Sequence, residues 1–181
     1  MRLQNDVQHY GLIAILLHWI VAMAVIAMFG LGLWMTALTY YDSWYHRGPW
    51  LHKGVGVLLF LVVAVRIAWR QFSPATEPLS SHAGWECLLA KLVHYLLYLL
   101  LLMVMVSGYF ISTADGRALP VFEWFELPAV LLGIDQQAEI AGKMHLILAS
   151  TLLGVAALHM FAAFKHHFID RDRTLLRMLG R

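Results

Sequence analysis

The stretch that decides the fold runs from Ile140 to Phe164 and reads IAGKMHLILASTLLGVAALHMFAAF. A membrane-spanning helix needs about 20 mostly apolar residues, and this stretch is long enough. It nevertheless carries His145 and His159, although an ionisable side chain inside hydrocarbon is costly and usually functional. Because the two histidines are 14 residues apart in the sequence, they share one helix face and are separated by roughly 21 Å along its axis.

Three further apolar stretches accompany it, giving predicted spans at about 11–38, 51–69, 88–112 and 140–164. The 181-residue chain is 61% hydrophobic and 13% charged, whereas an average soluble domain has about 25% charged residues. This composition excludes an ordinary soluble domain, and the net charge of +2 gives no sign of a nucleic-acid partner. We predict an all-α integral membrane four-helix bundle that forms a single domain over residues 1–181.

The distribution of Lys and Arg predicts the orientation, because short cytoplasmic loops are enriched in both. One side holds Arg47, Lys53, Arg117 and Lys143, whereas the side with the chain ends holds the larger set. Both termini are therefore predicted to be cytoplasmic. We also expect a short surface helix from Phe122 to Leu132 in the outer loop.

Matched depths pair the histidines of different spans. His52 opens the second span on the outer side, level with His145, and His18 lies near the inner end of the first span, level with His159. Facing neutral imidazoles suit the two axial positions of a haem iron, and bundle interiors commonly hold such cofactors. His94 lies at the depth of His18 and His159. It could contact a quinone, relay a proton or bond a neighbour.

The same spacing places other residues near these pairs. Gly32 and Gly108 follow His18 and His94 by 14 residues and are expected to face inward at the outer pair, where a flat ring needs close backbone approach. Arg66 follows His52 by the same interval and could bind a haem propionate through its guanidinium. Lys53 and Lys143 could do so on the outer side. The lone Cys87 excludes a thiolate cluster and covalent haem attachment.

This residue set resembles the bacterial four-helix cytochrome b561 family, and more distantly the di-haem membrane subunits of formate dehydrogenases and hydrogenases. The resemblance rests on His18-Trp19, on Leu51-His52-Lys53 with Arg66, on His94, on His145 with His159, and on the tail from His166 to Met178. It implies two non-covalent haem b groups in a bacterial inner membrane. It also implies ligation of one haem by His18 and His159 and of the other by His52 and His145.

The resemblance further implies transmembrane electron transfer from a periplasmic-side reductant to a membrane quinone such as ubiquinone. In a related member superoxide is the reductant, so a superoxide oxidase-like, quinone-reducing enzyme is one expectation. The alternative is a haem-bearing membrane anchor subunit that passes electrons between quinone and a separate dehydrogenase or hydrogenase. The expected partners are lipid, quinone and a redox protein, and a homodimer stays open. A proton-coupled transporter is disfavoured because no Asp or Glu lies mid-span, and five intramembrane histidines disfavour a purely structural bundle.

Overall fold

The computed structural model describes residues 2–131 and 133–181. Within these residues the protein is mostly helical, with four long apolar helices, α1 (Leu12–Thr36), α2 (Arg47–Phe72), α3 (Gly84–Ser112) and α4 (Gln137–Phe168). A short helix, α5 (Thr174–Met178), follows α4. The long helices have the length and hydropathy needed to cross a membrane, which agrees with the predicted membrane four-helix bundle.

Most of these helices extend beyond the predicted spans. Helix α2 begins at Arg47 rather than Leu51, and α4 runs from Gln137 to Phe168 rather than from Ile140 to Phe164. Hydropathy marks only the part of a helix that lies in hydrocarbon, whereas the helical backbone continues into the polar interface. The added turns carry charged and aromatic residues, as interfacial turns do.

Large apolar side chains cover the outside of the helices. Met23 of α1, Val65 of α2, Leu92 of α3 and Leu158 of α4 are all more than half exposed. Such a surface is unfavourable in water but matches the lipid tails of a bilayer. The buried apolar residues are few by comparison and include Ile15, Val63, Leu100 and Leu152.

The chain groups into two compact units. One unit comprises 24–61 and the described part of 99–153 and is called the hairpin unit here. The other comprises 2–23, 62–98 and 154–181 and is called the terminal unit. Each unit contains parts of α1, α2, α3 and α4.

The hairpin unit is named after two short antiparallel strands, β1 (Leu119–Val121) and β2 (Phe125–Leu127), in which Val121 pairs with Phe125. The surface helix predicted from Phe122 to Leu132 is therefore wrong, with Leu132 itself outside the described residues. Phe122 has a φ of 53°, in the left-handed region where helices do not continue. The β-branched and aromatic residues around it favour extended backbone.

The terminal unit is held together by contacts from the two ends of the chain. The indole N–H of Trp19 in α1 donates to the carbonyl of Met178, 2.9 Å away, at the end of α5. Arg177 is buried, donates to the carbonyl of Glu77 at 3.0 Å, and lies over the ring of Tyr10. The tail after α4 is therefore fixed against α1 and against the loop between α2 and α3.

Candidate cofactor sites

His52 of α2 and His145 of α4, here called the hairpin pair, face each other within the hairpin unit. Their ring centroids are 6.2 Å apart and their planes are inclined by 73°. His145 Nδ1 lies 2.9 Å from the backbone carbonyl oxygen of Val104 and 3.1 Å from Ser107 Oγ. Donation from Nδ1–H to the Val104 carbonyl leaves Nε2 unprotonated in the neutral ring, which is the state a metal ligand requires.

Two glycines leave room beside these rings. A Cβ at Gly32 would lie 3.3 Å from His52 Cε1, and one at Gly108 would lie 3.1 Å from His145 Cε1. Both distances are tighter than ordinary van der Waals contact, so any larger residue would press on an imidazole. The structure thus brings together the four residues that sequence spacing placed at this site.

His18 of α1 and His159 of α4, here called the terminal pair, face each other within the terminal unit. Their ring centroids are 6.4 Å apart with an interplanar angle of 74°. His94 of α3 lies closer to His159, at a centroid distance of 5.0 Å. Three imidazoles therefore meet here, as their depths along the helices predicted.

Arg66 of α2 lies at the terminal pair. Its Nη2 atom is 3.1 Å from His18 Nδ1, and its Nε donates to the Tyr98 hydroxyl at 2.9 Å. A guanidinium has only donors, so His18 Nδ1 must accept, and Nε2 then carries the hydrogen in the neutral ring. For His18 to bind a metal through Nε2, Arg66 must therefore release Nδ1. Sequence spacing indicated Arg66 but gave no sign of Tyr98, which follows His94 by one helical turn.

Both pairs have the separation that a bridging metal requires. If two imidazoles held one iron from opposite sides with metal–nitrogen bonds of about 2 Å, their ring centroids would lie roughly 6 Å apart. The hairpin pair and the terminal pair, at 6.2 and 6.4 Å, meet this requirement, whereas His94 and His159 at 5.0 Å are too close. Moreover, His52 Nδ1 is buried without a hydrogen-bond partner in the described structure. The residues of both sites fit a bis-imidazole haem.

The two lysines predicted to contact propionates have different surroundings. Lys143 Nζ forms an ion pair with Glu139 Oε1 at 2.6 Å, whereas Lys53 lines a cavity with His46 and Trp50. Among the described residues no carboxylate oxygen lies within 4 Å of Lys53 Nζ. Lys53 is therefore the better placed of the two to meet an anionic group.

Asp42 adds a fixed negative charge to the same side. Hydrogen bonds from the backbone N–H and the hydroxyl of Thr39 hold the pKa of Asp42 below its usual value. Because both bonds are made to the ionised carboxylate, they favour that form. The loop between α1 and α2 therefore stays anionic at neutral pH and opposes the attraction of an anion to Lys53.

Long apolar helices with facing intramembrane histidines are features of the class of membrane proteins that hold a haem between helices. Comparison with known proteins gives the particular family. A family model described as prokaryotic cytochrome b561 matches residues 9–181. The chain belongs to the prokaryotic cytochrome b561 family.

Individual relatives agree with the family match. The chain is 47% identical over 181 residues to cytochrome b561 homolog 2 of Escherichia coli K12, covering 100% of this chain and 96% of the relative. It is 28% identical over 175 residues to the probable superoxide oxidase CybB of Yersinia pestis, covering 94% and 95%. It is 26% identical over 180 residues to cytochrome b561 homolog 1 of E. coli K12, covering 92% and 94%.

Family membership and the apolar helices make this a multi-pass protein of the bacterial inner membrane. The function of the family is membrane electron transfer, and its cofactor is b-type haem.

Proposed function

We propose that this chain carries electrons across the inner membrane, from a reductant on the periplasmic side to a membrane quinone. In this proposal residues 1–181 form one domain that binds two haem b groups, one through His52 and His145 and the other through His18 and His159. Both chain ends lie in the cytoplasm. The single observation that supports it best is that both pairs have the centroid distance of a metal-bridged bis-imidazole.

Haem b, when bound, supplies one-electron chemistry at its iron. At the hairpin pair the protein's task is to present two unprotonated nitrogens and to keep water away. The Val104 carbonyl fixes the ring orientation of His145, and Gly32 and Gly108 keep the space beside the rings free. With His52 and His145 both holding the haem, no open position would remain for oxygen, which would favour electron transfer over ligand activation.

At the terminal pair Arg66 has a second task. With haem bound, its guanidinium would hold a propionate carboxylate as a bidentate pair, which is a stronger interaction than its hydrogen bond to a neutral ring. The Tyr98 hydroxyl accepts a hydrogen bond from Arg66 Nε at 2.9 Å and so positions the guanidinium. Once Arg66 no longer donated to it, His18 Nδ1 would carry the ring hydrogen, and Nε2 would be the nitrogen available as a ligand.

His94 lies beside the terminal pair but is not one of the four proposed haem ligands. Its distance of 5.0 Å to the His159 ring leaves it outside the bridging geometry. In our proposal it donates a hydrogen bond to a quinone carbonyl. Replacing it by Leu should therefore slow quinone reduction about tenfold or more, a typical loss when one proton-donating group is removed, while the haem spectra stay unchanged. Loss of a haem in His94→Leu would instead make His94 a ligand.

The donor is proposed to approach the hairpin side. One relative is named a probable superoxide oxidase, and Lys53 lines a cavity of about 380 Å³ there. Asp42 and the Lys143–Glu139 pair weaken the attraction of this side for an anion. Because of that relative's name, superoxide is the first donor to test. A neutral reductant is the comparison, because these carboxylates disfavour an anion.

The experiment is electron transfer in proteoliposomes. Haem-loaded protein is reconstituted with ubiquinone, and superoxide or a neutral reductant is supplied from outside. We expect reduction of both haem signals followed by reduction of ubiquinone. Reduction without any quinol product would contradict the proposal. Quinone reduction that requires an added dehydrogenase or hydrogenase would favour the anchor-subunit alternative.

Orientation can be tested with Cys87, which lies near the start of α3 and is half-buried. A membrane-impermeant maleimide should label Cys87 in inverted vesicles but not in intact spheroplasts. A Ser43→Cys variant without Cys87 is the matched control and should show the opposite pattern, because Ser43 lies in the loop between α1 and α2. The reverse result for both cysteines would overturn the assigned orientation.

A further inference from the structure

A second group of histidines lies in the terminal unit and shares no residue with either imidazole pair. His82 lies in the loop between α2 and α3, His166 near the end of α4, and Asp172 in the segment between α4 and α5. Their nitrogen and oxygen atoms lie within 4.8 Å of one another. No sequence pattern joins these residues, because His82 is distant from the others along the chain.

Both imidazoles meet the same carboxylate oxygen. His82 Nε2 is 3.0 Å and His166 Nδ1 is 3.2 Å from Asp172 Oδ2. The two rings are 4.6 Å apart between centroids and tilted by 41°. The side chains of His82 and His166 are each 16% exposed and that of Asp172 is 8% exposed, so the three atoms form a nearly enclosed cluster with limited access for water.

One nitrogen atom of this cluster, His166 Nδ1, lacks a hydrogen bond within the described ranges. The atom lies 2.8 Å from Asp170 Oδ2 and 3.2 Å from Asp172 Oδ2. Neither contact is aligned as a hydrogen bond, and the atom is buried without a partner in the part of the chain described here. A buried nitrogen of this kind is costly. A cation between His166 Nδ1 and the carboxylate would provide the missing interaction.

The distances suit a small divalent transition metal. In a tetrahedral site with metal–ligand bonds of about 2.0–2.1 Å, neighbouring ligand atoms lie roughly 3.3 Å apart. The observed 3.0 and 3.2 Å require only a slight widening. Two imidazoles and one carboxylate suit zinc, copper, nickel or iron rather than magnesium or calcium, which prefer oxygen ligands alone.

A neighbouring candidate is less favourable. Glu86, His166 and Asp170 also bring their ligand atoms together. However, Lys165 Nζ lies 2.7 Å from Asp170 Oδ2 and 3.2 Å from Glu86 Oε1. The ammonium group already pairs with both carboxylates and would repel a metal cation. Asp172 has no such ion pair to a lysine or arginine in the described residues.

We propose that His82 Nε2, His166 Nδ1 and Asp172 Oδ2 bind a divalent transition metal of the zinc type. The bound ion would tie the loop between α2 and α3 to the segment that follows α4. Water at the exposed edge of the cluster would supply the fourth ligand. This site does not depend on the proposed haem ligands, because it shares no residue with either imidazole pair.

The test uses the full-length protein purified in detergent with its haem, and Zn²⁺ as the probe. We expect one Zn²⁺ per chain to survive dialysis, and the X-ray absorption spectrum at the zinc edge should show scattering from histidine ligands of the zinc. His82→Gln should weaken Zn²⁺ binding by more than about 100-fold, because loss of even an outer-shell partner costs about 10–100-fold.

Two control variants locate the ion. Glu86→Gln should leave Zn²⁺ affinity unchanged, since Glu86 belongs only to the neighbouring group. His46→Gln, in the exposed loop before α2, should also leave Zn²⁺ affinity unchanged. An unchanged haem spectrum shows that each variant is folded. Wild-type protein without stoichiometric Zn²⁺, or His82→Gln with wild-type affinity, would overturn the proposal. So would loss of Zn²⁺ in Glu86→Gln but not in His82→Gln.

Discussion

The hairpin pair and the terminal pair differ in how far each would have to change to bind haem as we propose. His145 already donates Nδ1–H to the Val104 carbonyl, and Gly32 and Gly108 keep the space open. At the terminal pair His18 Nδ1 is held by Arg66, and a third imidazole, His94, lies beside His159. In our proposal the site in the hairpin unit is therefore preorganised, whereas the site in the terminal unit must exchange a hydrogen bond.

The largest effect should come from removing one ligand of each pair. His145→Ala should abolish binding at the hairpin pair and lower the haem content by about half, because one axial ligand alone does not hold a six-coordinate b-type haem. His159→Ala should remove the other half. The measurement is a pyridine haemochrome assay per chain. His46→Ala, in an exposed loop, is the control and should keep full content; equal spectra for all three variants would contradict the pairing.

A larger residue at Gly32 should disturb the preorganised hairpin pair. A valine there would press on the His52 ring, since even a Cβ would lie 3.3 Å from Cε1. Overpacking costs about 1–3 kcal/mol, so the haem affinity of the hairpin site should fall about tenfold or more. Gly30→Val is a matched control on the same helix, because nothing lies within 4 Å of its Cβ position. Competition with apomyoglobin measures the affinity, and similar losses in both variants would point to helix propensity instead.

Arg66 tests the exchange at the terminal pair. Arg66→Gln removes a positive charge that favours the reduced state, so the midpoint potential of one haem should fall by about 60 mV, a tenfold change for a one-electron couple. The potential of the other haem should not move. Arg70→Gln is the control, because Arg70 also lies over Tyr98 but makes no hydrogen bond to His18. A redox titration that shows equal shifts for both variants would assign the effect to general charge.

Substitution of Ser107 should give the smallest change in the haem affinity of the hairpin site. Its hydroxyl donates to the Val104 carbonyl at 2.8 Å and lies 3.1 Å from His145 Nδ1. A neutral hydrogen bond contributes about 0.5–1.5 kcal/mol, and Val104 still accepts from His145 in Ser107→Ala. The same competition assay should therefore show a loss below about tenfold at the hairpin site. A complete loss of haem would mean that Ser107, and not the Val104 carbonyl, orients His145.

Sequence patterns predicted the helices and the meeting of the histidines because both follow from helix geometry. A 14-residue interval returns to nearly the same helix face, and so His52, His145, Gly32 and Gly108 meet in the structure. The features that sequence patterns missed lie in loops. The turn at Phe122, with its positive φ, has no helical period to reveal it.

Contacts between distant segments were equally hidden. The Val104 carbonyl is backbone and leaves no mark on the sequence, although it orients His145. His82 and His166 meet only because the loop between α2 and α3 lies against the tail after α4. Both lie outside the predicted spans, and no local pattern could indicate their shared carboxylate.

The most direct measurement is the number of haems per chain in purified full-length protein, together with their spin state by electron paramagnetic resonance. Ligation of one haem by His52 and His145 and of another by His18 and His159 predicts two low-spin haems per chain. A single haem per chain, or a high-spin signal from an iron with an open axial position, would contradict it.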